Sequence, residues 1–304
     1  MNIQWFPGHM AKTRRLLAEN LKLVDVVIEL LDARIPVSSK NPEIDGIIKQ
    51  KPRVVVLNKS DLADENVSRA WSKWYAENGY KCIFVDALKG KGINELKSQL
   101  RFIMKDKLER EKEKGRLFRP IRTMVVGVPN VGKSSFINKI AGKASAATGD
   151  KPGVTRGKQW IRINEEIELL DTPGILWPKF EDLRVGMNLA YTGAIKDDIM
   201  DIVEVSAHLL QRLATVYPEN LKQRFKLESL EGKNGYDLLE EAGRRRGCII
   251  SGGEIDHMRI AAIILDEFRG GKIGRITLER PGETYEEIKD MKMPEEEVET
   301  GNDE

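Results

Sequence analysis

The sequence predicts an α/β fold: a doubly wound, mostly parallel six-stranded sheet with an all-helical domain after it. Three observations carry this. Six short strand-like segments, at residues 24–31, 54–57, 82–85, 123–126, 159–163 and 167–170, most of them apolar, fall among segments of helical periodicity. Three of the strand-like segments end in loops of Gly, Asn and Asp, at the strand edge where open α/β sheets bind ligands. From Pro178 onward the apolar spacing becomes helical, about 3.6 residues.

The elements follow in order. An amphipathic helix is expected at residues 11–21, exposing Lys12, Arg14 and Arg15. Residues 24–31 are apolar apart from Asp25 and Glu29, as suits a strand buried on both faces. Residues 54–57 form the second strand, then a helix over 61–78 closed by Gly79, then the third strand at 82–85. A long helix from Ile93 to Lys114, charged over its second half, leads through Arg116–Arg119 to the fourth strand. Residues 159–163 and 167–170 form a hairpin around Asn164-Glu165-Glu166. Helices are expected at 183–193, 199–216, 237–246 and 254–268, with Gly247, Gly270 and Gly271 as stops. The expected division is an N-terminal basic segment at 1–22 packed on a nucleotide domain at 23–177, then a helical domain at 178–282. An acidic, disordered tail is expected at 283–304.

Bulk properties narrow the class. No apolar stretch in the 304 residues approaches the roughly 18 needed to span a membrane. The N-terminus lacks the basic start and apolar core of a signal peptide, and Cys82 and Cys248 are far apart. A cytoplasmic, monomeric protein with two separate thiols is expected. From Glu283 onward the chain carries ten acidic and two basic residues, leaving the first 282 residues at +10 against −8 for the tail. A basic body points to a polyanionic partner such as RNA. Arg244-Arg245-Arg246 is either a face for phosphates or a set of cations complementing a helix C-terminus.

Three motifs carry chemistry. Gly127-Val128-Pro129-Asn130-Val131-Gly132-Lys133-Ser134 matches G-x-x-x-x-G-K-[ST], between a strand and a helix. Backbone N–H groups of the loop and helix start, over Asn130, Val131, Gly132, Lys133, Ser134 and Ser135, are expected to face phosphates. Lys133 reaches the outer oxygens and the Ser134 hydroxyl ligates Mg²⁺. Asp171-Thr172-Pro173-Gly174 matches D-x-x-G, with Asp171 on the metal through water and the Gly174 N–H on a γ-phosphate. Asn58-Lys59-Ser60-Asp61 matches N-K-x-D. The Asp61 carboxylate would accept two hydrogen bonds from guanine, which adenine cannot supply; Asn58 would brace the loop and Lys59 stack along the base. Asp86-Ala87 is the candidate for a backbone contact to O6, with Asp in place of the usual Ser or Thr.

The base-reading motif precedes the phosphate loop, the reverse of small G proteins. This order implies a circularly permuted P-loop GTPase with GTP as substrate. Thr155 is the candidate to close over the γ-phosphate and the metal. Ile175 stands where a water-orienting glutamine is expected, so either hydrolysis is slow or another residue orients the water. His9 is either a surface histidine or an imidazole presented by its loop. Asn130 is either an ordinary loop residue or, through its amide oxygen, a ligand for a monovalent cation. His208 and His257 read as structural.

Trp5-Phe6-Pro7-Gly8-His9-Met10, Asp32-Ala33-Arg34-Ile35-Pro36 and the permuted motif order together resemble the ribosome biogenesis GTPase A (RbgA/YlqF) family over nearly the whole chain. The resemblance implies a bacterial GTPase acting late in assembly of the large ribosomal subunit, binding the precursor in its GTP state. It implies a hydrophobic residue in place of the catalytic glutamine, matched by Ile175, and a water-positioning histidine, matched by His9. It implies potassium stimulation through the position of Asn130, and RNA contact by the helical domain. Two rival readings are a nucleotide-gated RNA-binding module with negligible catalysis and a permuted GTPase of the small subunit.

Overall fold

The strand Val26–Asp32 (β1) is buried at all seven positions, as a central strand of a doubly covered sheet must be. A computed structural model of the chain describes residues 15, 17–42, 44–48, 51–113, 119–142, 159–171 and 182–283. β1 is flanked in parallel by Arg53–Asn58 (β2) and Ile121–Val126 (β4). Cys82–Phe84 (β3) pairs parallel to β2, and Ile167–Asp171 (β6) parallel to β4. Gln159–Arg162 (β5) closes the far edge antiparallel to β6, giving the order β3-β2-β1-β4-β6-β5. The chain thus runs outward from β1 to β3, returns to the centre at β4, and runs out the other way. The five parallel strands end at one edge, which gathers the C-terminal ends of β1, β2, β3, β4 and β6 there.

Helices cover the sheet. Glu65–Glu77 (α2) is started by the Asp64 side chain, which accepts from the N–H groups of Asn66 and Val67. It buries Val67, Trp71 and Tyr75 against Leu31, Val55 and Leu57. Residues 17–21 are helical as expected, and Leu17 and Leu21 pack with Val24, Val27, Met124 and Leu170. Ile93–Glu113 (α3) is the long connection toward β4. Lys133–Ala141 (α4) follows the phosphate loop. A short helix, Ile44–Ile48 (α1), was not evident in the sequence because five residues show no period.

The chain divides into two compact units: the described residues up to Lys196 with a return segment from Arg275, and Asp197–Gly274. This corrects the expected boundary at residues 177 and 178. Leu183–Tyr191 (α5) groups with the sheet, burying Met187, Asn188, Leu189, Ala190 and Tyr191. Asn188 donates to Ser38 Oγ and to the Glu279 carboxylate, so α5 and the return segment are both tied to the sheet unit.

The second unit is helical, as predicted: Ile202–Val216 (α6), Pro218–Phe225 (α7), Gly235–Arg245 (α8) and His257–Arg269 (α9). Asp201 caps α6, so that helix begins three residues later than its apolar spacing suggested; Asp197–Ile199 is a separate 3₁₀ turn. Asn234 and Asp237 form a capping box on α8. α7 escaped the sequence reading because it buries only Leu221 and Phe225.

Candidate nucleotide-binding site

The Asn58–Asp61 loop and the glycine-containing loop 127–134, encoded far apart in the chain, meet at the C-terminal edge of the sheet. Asn58 Nδ2 donates to the Val131 carbonyl at 2.8 Å, and Lys59 Nζ donates to the Asn130 carbonyl at 2.7 Å. The base-reading motif is therefore bonded directly to the phosphate-loop motif. Asn58 also accepts from the Ala87 N–H at 3.3 Å, which joins the third loop to the other two.

The phosphate loop has the backbone its motif demands. Gly132 has φ of +91° and Asn130 φ of +55°, both left-handed. A Cβ on Gly132 would stand 2.5 Å from Asn58 Nδ2, so the position tolerates only glycine without displacing the brace. A Cβ on Gly127 would stand 2.6 Å from the Leu30 carbonyl in β1, so the loop leaves the sheet in close approach to that strand. Lys133 is buried at the first turn of α4, with Ser134 and Ser135 after it. The N–H groups of that turn point along the helix axis into the loop, a ready site for anionic oxygens. Asn130 donates through Nδ2 to the Gly193 carbonyl at 2.7 Å. β6 ends at Asp171 beside β4, whose last residues lead into the phosphate loop.

The base-reading loop is built differently. Lys59 has φ of +57° and its ammonium lies 3.1 Å from Asp32 Oδ2. Asp32 also takes Arg34 Nε at 2.9 Å, Arg34 Nη2 at 2.8 Å and the Arg34 N–H at 3.0 Å. Both partners of that pair are almost fully buried. Burial alone would push the Asp32 carboxyl up; the Arg34 guanidinium and the Lys59 ammonium outweigh it and hold the group well below the usual carboxylate range. Asp32 and Arg34 were visible in the sequence only as part of a family signature. Their position at the end of a central strand was the signal that could have marked them. Ser60 donates its N–H to the Val85 carbonyl at 3.1 Å, while the Asp61 carboxylate makes no hydrogen bond to another described residue. Asp86 closes its own turn by accepting from the Leu88 and Lys89 N–H groups, as an Asx turn does.

The structure thus brings together Asn58, Lys59, Ser60, Asp61, Asp86, Ala87, Asn130, Val131, Gly132, Lys133, Ser134 and Ser135 on connected loops at one sheet edge. His9, Thr155, Gly174 and Ile175 lie outside the described residues, as does the acidic tail, and of Asp171 only the backbone is described. A serine hydroxyl at the helix start and an aspartate ending the strand beside the loop are hard oxygen donors. They suit Mg²⁺, which takes few protein ligands beside phosphate oxygens. His208 and His257 lie on α6 and α9, His257 at 3.6 Å from Glu240. Cys82 and Cys248 are separate free thiols. Among the described residues no helix is long and apolar enough to cross a membrane.

Comparison with known proteins agrees with this arrangement. Residues 122–229 match a family model described as "50S ribosome-binding GTPase". A protein of Bacillus cereus named ribosome biogenesis GTPase A is 49% identical over 296 residues, covering 97% of this chain and 100% of its own. Its namesake in Priestia megaterium is 50% identical over 289 residues, covering 95% and 100%. The crystal structure of GNP-bound YlqF from T. maritima aligns with a TM-score of 0.62 at 26% identity, covering 90% of this chain and 100% of that one.

Proposed function

The chain belongs to the ribosome biogenesis GTPase A family, and from that premise we propose that it acts late in maturation of the large ribosomal subunit. It is a GTPase of ribosome biogenesis, with GTP as its substrate and Mg²⁺ as the customary metal. In the proposed cycle the GTP-bound protein, a cytoplasmic monomer, docks on precursor RNA of the large subunit, and hydrolysis releases it. The observation that carries the nucleotide half is the pair of bonds from Asn58 and Lys59 to the phosphate loop. The description of the matched family supports the choice of subunit.

In this reading Asp61 takes the guanine N1–H and amine, Lys59 lies along the base, and Asn58 holds both loops. The Asp86-Ala87 turn would supply the backbone contact to O6. Lys133 and the N–H groups of the phosphate loop hold the β- and γ-phosphates, and their positive charge faces the oxygens on which negative charge builds. Ser134 and Asp171, with Thr155, would hold Mg²⁺, which neutralises phosphate charge when bound. The Gly174 N–H would mark the γ-phosphate, and His9 would position the attacking water that Ile175 cannot. The donation from Asn130 Nδ2 to Gly193 orients that amide, so its oxygen is the atom for a potassium ion.

RNA contact by the helical unit is supported by a basic recess of about 560 Å³ lined by Arg224, Lys226, Arg245, Arg246 and Lys272. Glu267 braces Arg224 at 2.8 Å and Arg246 at 3.1 Å. Burial pushes the Glu267 carboxyl up, but the two guanidiniums and Lys272 outweigh it and hold it below its ordinary range. A braced guanidinium pair between lysines suits a phosphodiester backbone.

Co-sedimentation with large- and small-subunit precursors under GTP, GDP and a non-hydrolysable analogue tests the reading. Retention on the large-subunit precursor with the analogue and release with GDP is expected. Retention on the small-subunit precursor, or equal retention with both nucleotides, would overturn it.

A further inference from the structure

We infer that the return segment Arg275–Glu279 is a working part of the guanine-reading loop, and that Arg275 is a positioning residue for Asp61. The inference rests on the proposal that Asp61 reads guanine.

The carbonyls of Ser60 and Leu62, the residues on either side of Asp61, are held from this segment. Arg275 Nη2 donates to the Ser60 carbonyl at 3.2 Å, and the Ile276 N–H donates to the Leu62 carbonyl at 2.9 Å. Arg275 Nε also donates to the Ala63 carbonyl at 2.8 Å, and Thr277 Oγ1 accepts the Asp64 N–H at 3.0 Å. Residues 60 and 62 to 64 are thus each bonded to residues 275 to 277. The Asp61 carboxylate itself has no such support among the described residues, so its position is inherited from the two carbonyls that flank it.

The segment is itself anchored. The Leu278 N–H donates to the Arg34 carbonyl at 2.8 Å, and the Trp71 indole N–H donates to the Glu279 carbonyl at 2.9 Å. The buried Glu279 carboxylate accepts from the N–H groups of Val37 and Ser38, from the Ser38 hydroxyl and from Asn188. These are backbone and buried contacts, whereas the Arg275–Glu65 pair at 3.4 Å is exposed and adds little. A loop encoded by residues 58–61 is therefore completed only when the chain has passed through the whole helical unit.

Guanine and hypoxanthine separate a positioning role from a general one. They differ by the exocyclic amine, which only a correctly placed Asp61 carboxylate rewards. Steady-state hydrolysis of GTP and ITP by the full chain is the measurement. Arg275→Ala should lower the GTP-over-ITP preference in kcat/KM about tenfold, the worth of one charge-assisted hydrogen bond. The loss should fall in KM for GTP, with kcat at saturating GTP little changed. Arg275→Lys, which keeps the charge but cannot reach both carbonyls, should fall between. Thr277→Val, which removes the acceptor for Asp64, should shift the preference in the same direction should Arg275→Ala fold poorly.

An unchanged GTP-over-ITP preference in Arg275→Ala and Thr277→Val would overturn the inference. So would an equal rise in KM for both nucleotides, which marks general loosening. Asp61→Asn separates the two levels: if it moves preference toward xanthosine nucleotides while the Arg275 variants stay selective, the segment's role fails and base reading stands. If Asp61→Asn keeps its guanosine preference, both fail.

Discussion

The phosphate loop and the base-reading loop meet at one sheet edge but draw on different supports. The phosphate loop carries most of its shape in its own residues: two left-handed positions, a glycine that lets it pass close to β1, and the start of α4, with Asn58 and Lys59 joined to two of its carbonyls. The base-reading loop takes its shape from residues far away in the chain: Asp32 beneath Lys59, and Arg275 and Ile276 on either side of Asp61. A locally specified loop leaves its full signature in sequence. A loop held from outside leaves a motif but no trace of what supports it.

The difference can be broken most severely at Asp32. Asp32→Ala would remove the buried carboxylate that holds both the Arg34 guanidinium and the Lys59 ammonium, and deleting one partner of a buried ion pair typically costs about 3–5 kcal/mol. Urea denaturation should show that loss, and nucleotide affinity should fall with it through Lys59. Retained stability would mean that Asp32 is no keystone of the loop.

Gly132→Ala attacks the other loop. The left-handed φ and the 2.5 Å approach to Asn58 predict about 1–3 kcal/mol of local strain and a matching loss of GDP affinity by titration calorimetry. Because Asn58 is the group displaced, guanine selectivity should suffer as well. A variant that lost phosphate affinity with selectivity intact would show the loops to be less tightly joined than their bonds suggest.

Acid sharpens the contrast. Asp32 is held below its unfolded value, so its contribution is full above the ordinary carboxylate range near pH 4 and is lost as pH falls through and below it. Glu279 has the opposite sign: burial, only partly offset by the Ser38 and Val37 N–H groups, raises its carboxyl. Its contribution is present below the ordinary range and lost as pH rises through its folded value. Thermal melts from pH 7 to pH 3 should therefore lose less stability toward acid in Asp32→Asn than in the parent. An identical acid limb would remove Asp32 from the account.

Smaller effects should appear outside both loops. Lys226→Glu with Lys272→Glu in the basic recess should flatten the salt dependence of RNA binding, by about one unit of slope for each phosphate no longer neutralised. Basal GTP hydrolysis should be unchanged. An unaltered slope would separate the recess from RNA. Arg69→Ala, removing an exposed pair with Glu65 at 3.5 Å, should change stability by less than about 0.5 kcal/mol.

How much was legible follows the same line. The five parallel strands were visible because buried parallel strands are largely apolar runs, β5 because it reads as one arm of a hairpin with β6, and the three loops because their motifs constrain backbone geometry residue by residue. α1 and α7 were not, since five and eight residues with two buried side chains each give no period. The contacts of Arg275 and the buried seat of Glu279 could not be read either, because most of their partners lie more than 200 residues away. The run Arg244-Arg245-Arg246 looked like one basic face. In the fold its members diverge, to Glu240, Glu228 and Glu267, and two of them line the recess. The boundary between units was misplaced because α5 looks like any amphipathic helix until Asn188 is seen buried beside Ser38 and Glu279.

That the early asparagine–aspartate motif and the later glycine-rich loop serve one guanine nucleotide is tested most directly by competition between GDP and XDP for Asp61→Asn. Replacing the carboxylate by an amide should invert the preference so that XDP displaces GDP, with phosphate-dependent binding through Lys133 preserved. GDP binding as tight and selective as in the parent would contradict the account.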